Sequence, residues 1–241
     1  MIRTVFVVMA AGAYMFWVFT PLYLVAWITR NSDALYRAGT RGCRWAVWLA
    51  GVKLEIRGRE KIPSGRAVVF MSNHQSMCDP PALMGILPPV LVLLKRSLFR
   101  IPALGPAMRM RGFVPIEREH RERAMHAVEE AAARLRAGQS FLVYPEGTRS
   151  RDGRLLPFKR GAFLMAMRAQ APIVPISVSG AYKIMRKGEM SLHPGTLRIT
   201  FHDPVPTAGD VPDMRSLVME KVRTAIASGL SEDEQPLPLF S

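Results

Sequence analysis

Residues 72–81 read Ser72-Asn73-His74-Gln75-Ser76-Met77-Cys78-Asp79-Pro80-Pro81. A short apolar run, Ala67 to Met71, precedes them and has the character of a buried strand. Pro80-Pro81-Ala82-Leu83-Met84 follows and has the character of a helix start. A histidine at a strand end, five residues before a carboxylate, presents a general base beside an orienting partner. On a continuous helix the two would point about 140° apart, because each residue turns the chain by about 100°. The pair therefore needs a loop between strand and helix. Asp79-Pro80 supplies the boundary, since Asp favours the N-cap and Pro the first helical position. One carboxylate oxygen is then expected to cap the helix and the other to hold a ring N–H of His74. That bond would fix the tautomer and stabilise the imidazolium formed on proton abstraction. The plainer reading leaves Asp79 as a cap alone and His74 as a polar residue at a strand exit.

Outward from this stretch the chain alternates strands with helices. Val52 to Arg57 alternates apolar and polar, as a strand with one wet face does. Val90 to Leu94 is uniformly apolar, like a central strand. Phe113–Ile116, Ser140–Tyr144, Ile173–Val178 and Leu197–Phe201 complete the set. The clearest helix runs from about Glu119 to Ala137, with Ala124, Met125, Val128, Ala132 and Leu135 on one face; His120 and His126 fall on its solvated surface. The alternation argues an α/β layered domain over residues 51–230. Val174-Pro175-Ile176 contains a residue that cannot donate to a ladder, and reads as an edge strand or a bulge.

Residues 1–50 differ in kind. No charge occurs from Thr4 to Thr29, a run of about 26 residues against the ~20 that span a bilayer core. Phe6, Tyr14, Phe16, Trp17, Phe19, Tyr23 and Trp27 lie in it, with Pro21 inside. The run is too long for a signal-peptide core and lacks a small-residue cleavage site, so it reads as a retained membrane segment. It either spans once or dips in and returns near Pro21. Arg30, Arg37, Arg41 and Arg44 follow with almost no acid, which places this end and the remaining chain on the cytoplasmic side. Residues 32–50 read as a second helix, interfacial on anionic lipid or packed on the domain. Ser231 to Pro236 is acidic, and residues 231–241 are expected to be a frayed tail.

The 241 residues carry a net charge of +14, with 49% apolar and 22% charged residues and a pI of about 10.7. Such a balance implies an anionic partner: a membrane surface, phosphorylated substrates or nucleic acid. No helix-turn-helix, zinc or RNA-binding signature supports nucleic acid. Cys43 and Cys78 give neither a disulfide framework nor zinc spacing.

Further cationic groups stand where strands end. Tyr144-Pro145-Glu146-Gly147-Thr148-Arg149-Ser150 follows a strand; Gly147 permits a tight turn, and Arg149 offers a planar fork of donors for a phosphate or carboxylate. The alternative is a surface turn in which Arg149 pairs with Glu146. Gly112 to Arg118 is a Gly-led strand ending in arginine, so Arg118 is a second candidate. Lys95-Arg96 closes the 90–94 run, and Lys159-Arg160-Gly161 opens a helix, where free N–H groups also favour anions. Ligands of open α/β sheets sit outside the carboxyl ends of strands. If Asn73, Lys95, Arg118 and Glu146 all lie at such ends, one pocket holds a base and several cations.

Together these stretches resemble the glycerolipid acyltransferase family, and within it the 1-acylglycerol-3-phosphate acyltransferases. Four ordered blocks carry the resemblance. Asn73, His74 and Asp79 match Asn-His-x-x-x-x-Asp. Gly112, Ile116 and Arg118 match Gly-x-x-x-Ile-x-Arg. Pro145 to Ser150 match Phe-Pro-Glu-Gly-Thr-Arg-Ser, with Tyr144 in place of Phe. Val174, Pro175 and Ile176 match the Val-Pro-Ile strand. The matches fall roughly within residues 50–205. The resemblance implies a mixed central β-sheet flanked by helices, with a hydrophobic N-terminal membrane anchor. It implies transfer of an acyl group from acyl-CoA or acyl-carrier protein to the hydroxyl of lysophosphatidate, at an anionic membrane surface. His74 would be the base and Asp79 its orienter. Lys95, Arg118 and Arg149 would hold the phosphate, in a pocket shaped by Glu146, Gly147 and Thr148. Backbone N–H groups near the helix start would hold the oxyanion. Met84, Leu87 and residues 98–110 are candidates for the acyl groove. No metal or cofactor is expected, because the thioester is already activated. Within the family the acceptor could instead be glycerol 3-phosphate, another lysophospholipid or a lyso-aminolipid. A non-catalytic lipid-binding role is the remaining alternative.

Overall fold

The computed structural model describes residues 2–117, 120–208 and 213–237. It opens with α1 (Ile2–Tyr14), which passes through a π-helical turn at Met15–Phe19 into α2 (Thr20–Thr29). The helix does not turn back at Pro21. That proline lies in the first turn of α2, where a missing N–H does least harm, and Thr20 Oγ1 donates to Met15 O at 2.9 Å across the wider turn. Arg30, in left-handed conformation, ends α2. The chain then returns along it as α3 (Asp33–Leu49), with Tyr14 Oη donating to Ala38 O at 2.9 Å.

The layered domain follows: β1 (Val52–Arg57), β2 (Val69–Ser72), α4 (Asp79–Ile86), β3 (Val90–Lys95), α5 (Leu104–Arg111), β4 (Val114–Ile116), α6 (Arg121–Arg136) and β5 (Ser140–Val143). After these come α7 (Arg160–Arg168), β6 (Ile173–Ser179), α8 (Ala181–Ile184), β7 (Gly195–Phe201) and α9 (Met214–Ser228). The strands form one seven-stranded sheet in the order β1-β7-β6-β2-β5-β3-β4. Every neighbouring pair is parallel except β6 and β7, so the sheet is mixed.

Both faces are covered, and this explains the uniformly apolar strands. Phe70, Leu142, Val174 and Ile176 face the side closed by Val47 of α3 and by Ala82, Leu83 and Ile86 of α4. Their neighbours Val69, Met71, Phe141 and Ile173 face the other way, onto Val128 and Ala131 of α6, Phe163 of α7 and Val222 of α9. Alternation along each strand divides the core into these two layers.

Three expectations meet a different geometry. The inward face of α6 is Ala127, Val128, Ala131, Ala132 and Leu135; Met125 is exposed, so the buried stripe is rotated from the expected one. Of the two readings of Pro175 the edge fails, since β6 lies between β2 and β7. The bulge holds, since Phe201 to Val205 is one residue longer than the Ile173 to Ile176 segment it opposes. The antiparallel ladder of β6 runs to Ile176↔Phe201 and resumes as a single bridge at Ile173↔Val205. Pro175 falls in that gap, its carbonyl accepting from His202 N at 2.9 Å, so its missing N–H faces the point where β7 has ended. Finally, Ser231 to Gln235 is packed rather than frayed. Glu234 is buried, accepts Gly180 N at 2.7 Å through Oε1, and accepts Leu155 N at 3.0 Å through its own carbonyl. The expected tail from 238 to 241 lies outside the described residues.

The compositional boundary near residue 50 is bridged in space. Val47, Ala50 and Val52 share one core with α4, and Gly85 approaches Arg44 closely. The helix Ile2–Thr29 is long and apolar enough to cross a membrane by length and composition. It is attached to the rest of the chain at both ends. Arg3 Nη1 reaches Ala50 O and Thr4 Oγ1 accepts Leu192 N, while Phe19 and Ala26 pack with Leu35 and Ala107. Phe6, Met9, Phe16, Trp17, Leu24, Trp27 and Ile28 remain exposed on its outer side, beside Trp45 and Trp48 of α3.

Candidate functional site

His74 leaves β2 at the carboxyl edge of the sheet. Asn73, just before it, anchors this exit with two hydrogen bonds to one residue of β6. Its Nδ2 donates to Val178 O and its Oδ1 accepts Val178 N, both at 2.8 Å. The amide thereby imitates a strand neighbour after β2 has ended. His74 Nδ1 lies 2.8 Å from Asp79 Oδ2, and the imidazole is 16% exposed. No other hydrogen bond to the ring is formed among the described residues, which leaves Nε2 free.

Asp79 itself is fully buried. It does not cap α4 as expected. It is the first helical residue, after Cys78, and its carboxylate turns back into the loop. Oδ2 accepts Gln75 N at 2.7 Å and Ser76 N at 2.8 Å as well as the imidazole, while Oδ1 has no partner among the described residues. These bonds consume N–H groups near the helix start. Cys78 N is bound by Ser76 Oγ, and Pro80 and Pro81 carry none. Of the expected oxyanion donors near the helix start, the N–H groups of Gln75, Ser76 and Cys78 are therefore already engaged.

The loop after β5 wraps the same histidine. Glu146 is 2% exposed, and each of its oxygens accepts a backbone N–H: Oε1 takes His74 N at 2.6 Å and Oε2 takes Leu156 N at 3.0 Å. Both oxygens are thus engaged by backbone, and no ion pair with Arg149 is formed among the described residues. Burial pushes the Glu146 carboxyl up to about 8, against the pull of those two N–H groups. Ser150 N donates to His74 O at 2.8 Å, so His74 is fixed through both its N–H and its carbonyl. Gly147 takes φ +73°, a left-handed turn that suits glycine, and donates to Tyr144 O. The Tyr144 ring stacks on the imidazole, with centroids 4.1 Å apart and planes 21° apart.

The cations are spread along the same edge. In sheet order β5, β3 and β4 follow β2, all parallel, so Lys95 leaves the sheet two strands from His74, a separation of about 10 Å. Lys95, Arg96, Arg100, Ile116, Glu117, His120 and Arg123 line a cavity of about 410 Å³. Glu117 there pairs with both Arg96 and Arg123, which lowers its carboxyl below the usual range. Arg118 lies outside the described residues. Thr148 is exposed, and Arg149 is half-buried with no side-chain partner among the described residues. Lys187 Nζ donates to Thr148 Oγ1 at 3.0 Å and to Arg149 O at 2.8 Å. Lys159, at the start of α7, is exposed, and its N–H donates to Pro145 O. No group of three or more His, Cys, Asp or Glu that could hold a metal ion occurs among the described residues.

A family model described as "Acyltransferase" matches residues 53–179, just over half the chain and the segment that holds every candidate residue above. The chain belongs to the acyltransferase family. It is 36% identical over 181 residues to the chloroplastic 1-acyl-sn-glycerol-3-phosphate acyltransferase BAT2 of Brassica napus, covering 74% of this chain and 51% of that protein. It is 35% identical over 187 residues to human 1-acyl-sn-glycerol-3-phosphate acyltransferase alpha, covering 77% of this chain and 66% of that one. The chain thus spans between half and two thirds of these relatives' lengths. Among solved structures, the 1-acyl-sn-glycerophosphate acyltransferase PlsC of Thermotoga maritima superposes with a TM-score of 0.81 at 26% identity, covering 94% of each chain. The mixed α/β fold is therefore that of this acyltransferase family.

Several residues that build the family site here carry no motif signal. Val178 acts through its backbone N–H and carbonyl, which Asn73 engages. Gln75 reaches Gly153 O at 2.8 Å, and Ser76 Oγ donates to Met185 O at 2.8 Å, tying the histidine loop to two others. Lys187 lies in a basic turn, among Lys183, Arg186 and Gly188, that nothing in the sequence distinguishes from a solvated one.

Proposed function

We propose that this family member transfers a fatty acyl group from an acyl thioester to the free hydroxyl of 1-acylglycerol 3-phosphate, giving phosphatidate. The carrying observation is the His74–Asp79 pair, with Nδ1 held at 2.8 Å by a buried carboxylate and Nε2 free. With Nδ1–H donating to Asp79, the lone pair sits on Nε2. An alcohol is a weak nucleophile, so Nε2 takes its proton as the oxygen attacks the thioester carbonyl. A C–O bond forms, the tetrahedral intermediate collapses, and the C–S bond breaks. The departing thiolate receives the proton from the imidazolium. Asp79 stabilises that cation while it exists.

Arg149 and Lys95, with Arg118, are assigned to the acceptor phosphate, and Thr148 and Gly147 to the wall beside Arg149. Glu146 is assigned a supporting role: it holds the His74 backbone and touches no substrate. The relatives named as 1-acylglycerol-3-phosphate acyltransferases support this acceptor. The exposed apolar side of residues 2–29 docks the chain on the bilayer that holds acceptor and product. Arg30, Arg37, Arg41 and Arg44, all exposed, favour an anionic, cytoplasmic surface.

The test is acyl transfer by purified protein in detergent. One thioester donor is offered with lysophosphatidate, glycerol 3-phosphate, lysophosphatidylcholine and a lyso-aminolipid in turn. Preference for lysophosphatidate is expected. Preference for an acceptor without a phosphate monoester would overturn the acceptor assignment.

A further inference from the structure

We propose that Tyr144 is a positioning residue for His74, its ring setting the direction in which Nε2 points. This rests on His74 being the base. The hydrogen bond at Nδ1 restrains one edge of the imidazole, but the terminal torsion of histidine is broad, so that single bond lets the ring rock about it. The stack on Tyr144, at 4.1 Å and 21°, supplies the missing constraint. The two together determine where Nε2 lies.

The phenol ring is itself well fixed. It follows Val143, which pairs in register with Met71 of β2, so the strand that delivers Tyr144 adjoins the one that delivers His74. Its body packs against the core on the α4 side of the sheet. Its hydroxyl is buried and finds no hydrogen-bond partner among the described residues. A buried phenol without a partner is not placed there by its hydroxyl, because an unmade bond costs free energy. The ring is what the site uses. An aromatic face also favours the imidazolium formed when Nε2 takes the proton.

Three proteins separate ring from hydroxyl: the wild type, Tyr144→Phe and Tyr144→Leu, with His74→Ala as blank. Tyr144→Phe keeps the stack and should hold kcat within about 3-fold. Tyr144→Leu removes it and should lower kcat about 10- to 100-fold, the scale expected for a misaimed base, with both KM values unchanged. In protein carrying ¹³C-labelled histidine, the His74 ring proton should lose its ring-current shift in the Leu variant and keep it in the Phe variant. Tyr144→Met gives the same reading if the Leu variant does not fold. Wild-type kcat in the Leu or Met variant would overturn the inference. So would an equal loss in the Phe variant, which would put the role in the hydroxyl. Full turnover by His74→Ala would instead overturn the base assignment itself.

Discussion

Asp79 Oδ2 accepts three hydrogen bonds, from the imidazole and from two backbone N–H groups of the intervening loop. The loop is thus wound around the carboxylate, and His74 is presented as part of one rigid turn. Asp79→Asn would put an amide at that point and disfavour the tautomer with its lone pair on Nε2. Its kcat should fall at least about 100-fold with little change in KM, as steady-state kinetics would show. Arg149→Ala should chiefly raise the acceptor KM; an unchanged acceptor dependence would argue against a phosphate role. Glu146 makes a prediction about stability. Its carboxyl titrates near the ordinary 4.5 when unfolded and near 8 when folded, so across that window the unfolded chain binds fewer protons. Stability should therefore decline as pH rises from about 4.5 to about 8. Glu146→Gln should flatten that decline in urea melts at pH 5 and 8; an equal slope in both proteins would contradict it. The His74–Asp79 pair was legible in the sequence because both partners lie within one short loop. The role of Glu146 was not, because the group it holds is a backbone N–H distant in sequence, and backbone partners leave no residue-type signature.

At the scale of elements, all seven strands were visible as apolar or alternating runs, since burial on both faces demands such runs. Their order was not, because a run of Val and Leu says nothing of its neighbour. Pro175 shows the limit: a proline signals a missing ladder bond, but only the paired strand shows that the gap falls where β7 ends. The acidic segment after α9 misled for a similar reason. Its composition suits a solvated tail, yet Glu234 is spent on the N–H of Gly180 and on Ser231. Glu234→Ala should cost about 1–3 kcal/mol by leaving those donors unmet, measured as a lower urea midpoint. In the first helix Trp17 and Trp27 are 74% and 64% exposed, on an apolar side that water does not favour. Replacing both with Glu should leave the melting temperature in detergent unchanged and abolish sedimentation with phosphatidylglycerol vesicles. Unaltered vesicle binding would sink the docking role of this helix.

Over the whole molecule, the parallel order β2-β5-β3-β4 places His74, the Glu146–Arg149 loop, Lys95 and the end of β4 along one edge. The base and the described cations come from distant segments and share this edge because their strands point the same way. The long apolar helix of residues 2–29 joins the domain through Ala50, Leu192 and Ala107. The proposed role of His74, driving acyl transfer to lysophosphatidate, can be measured directly. The most direct measurement is the single-turnover rate of acyl transfer from a thioester to lysophosphatidate, for wild type and for His74→Ala of matched melting temperature. A rate for the variant lower by about 1,000-fold is the expected result. Near-wild-type turnover by the folded variant would contradict it.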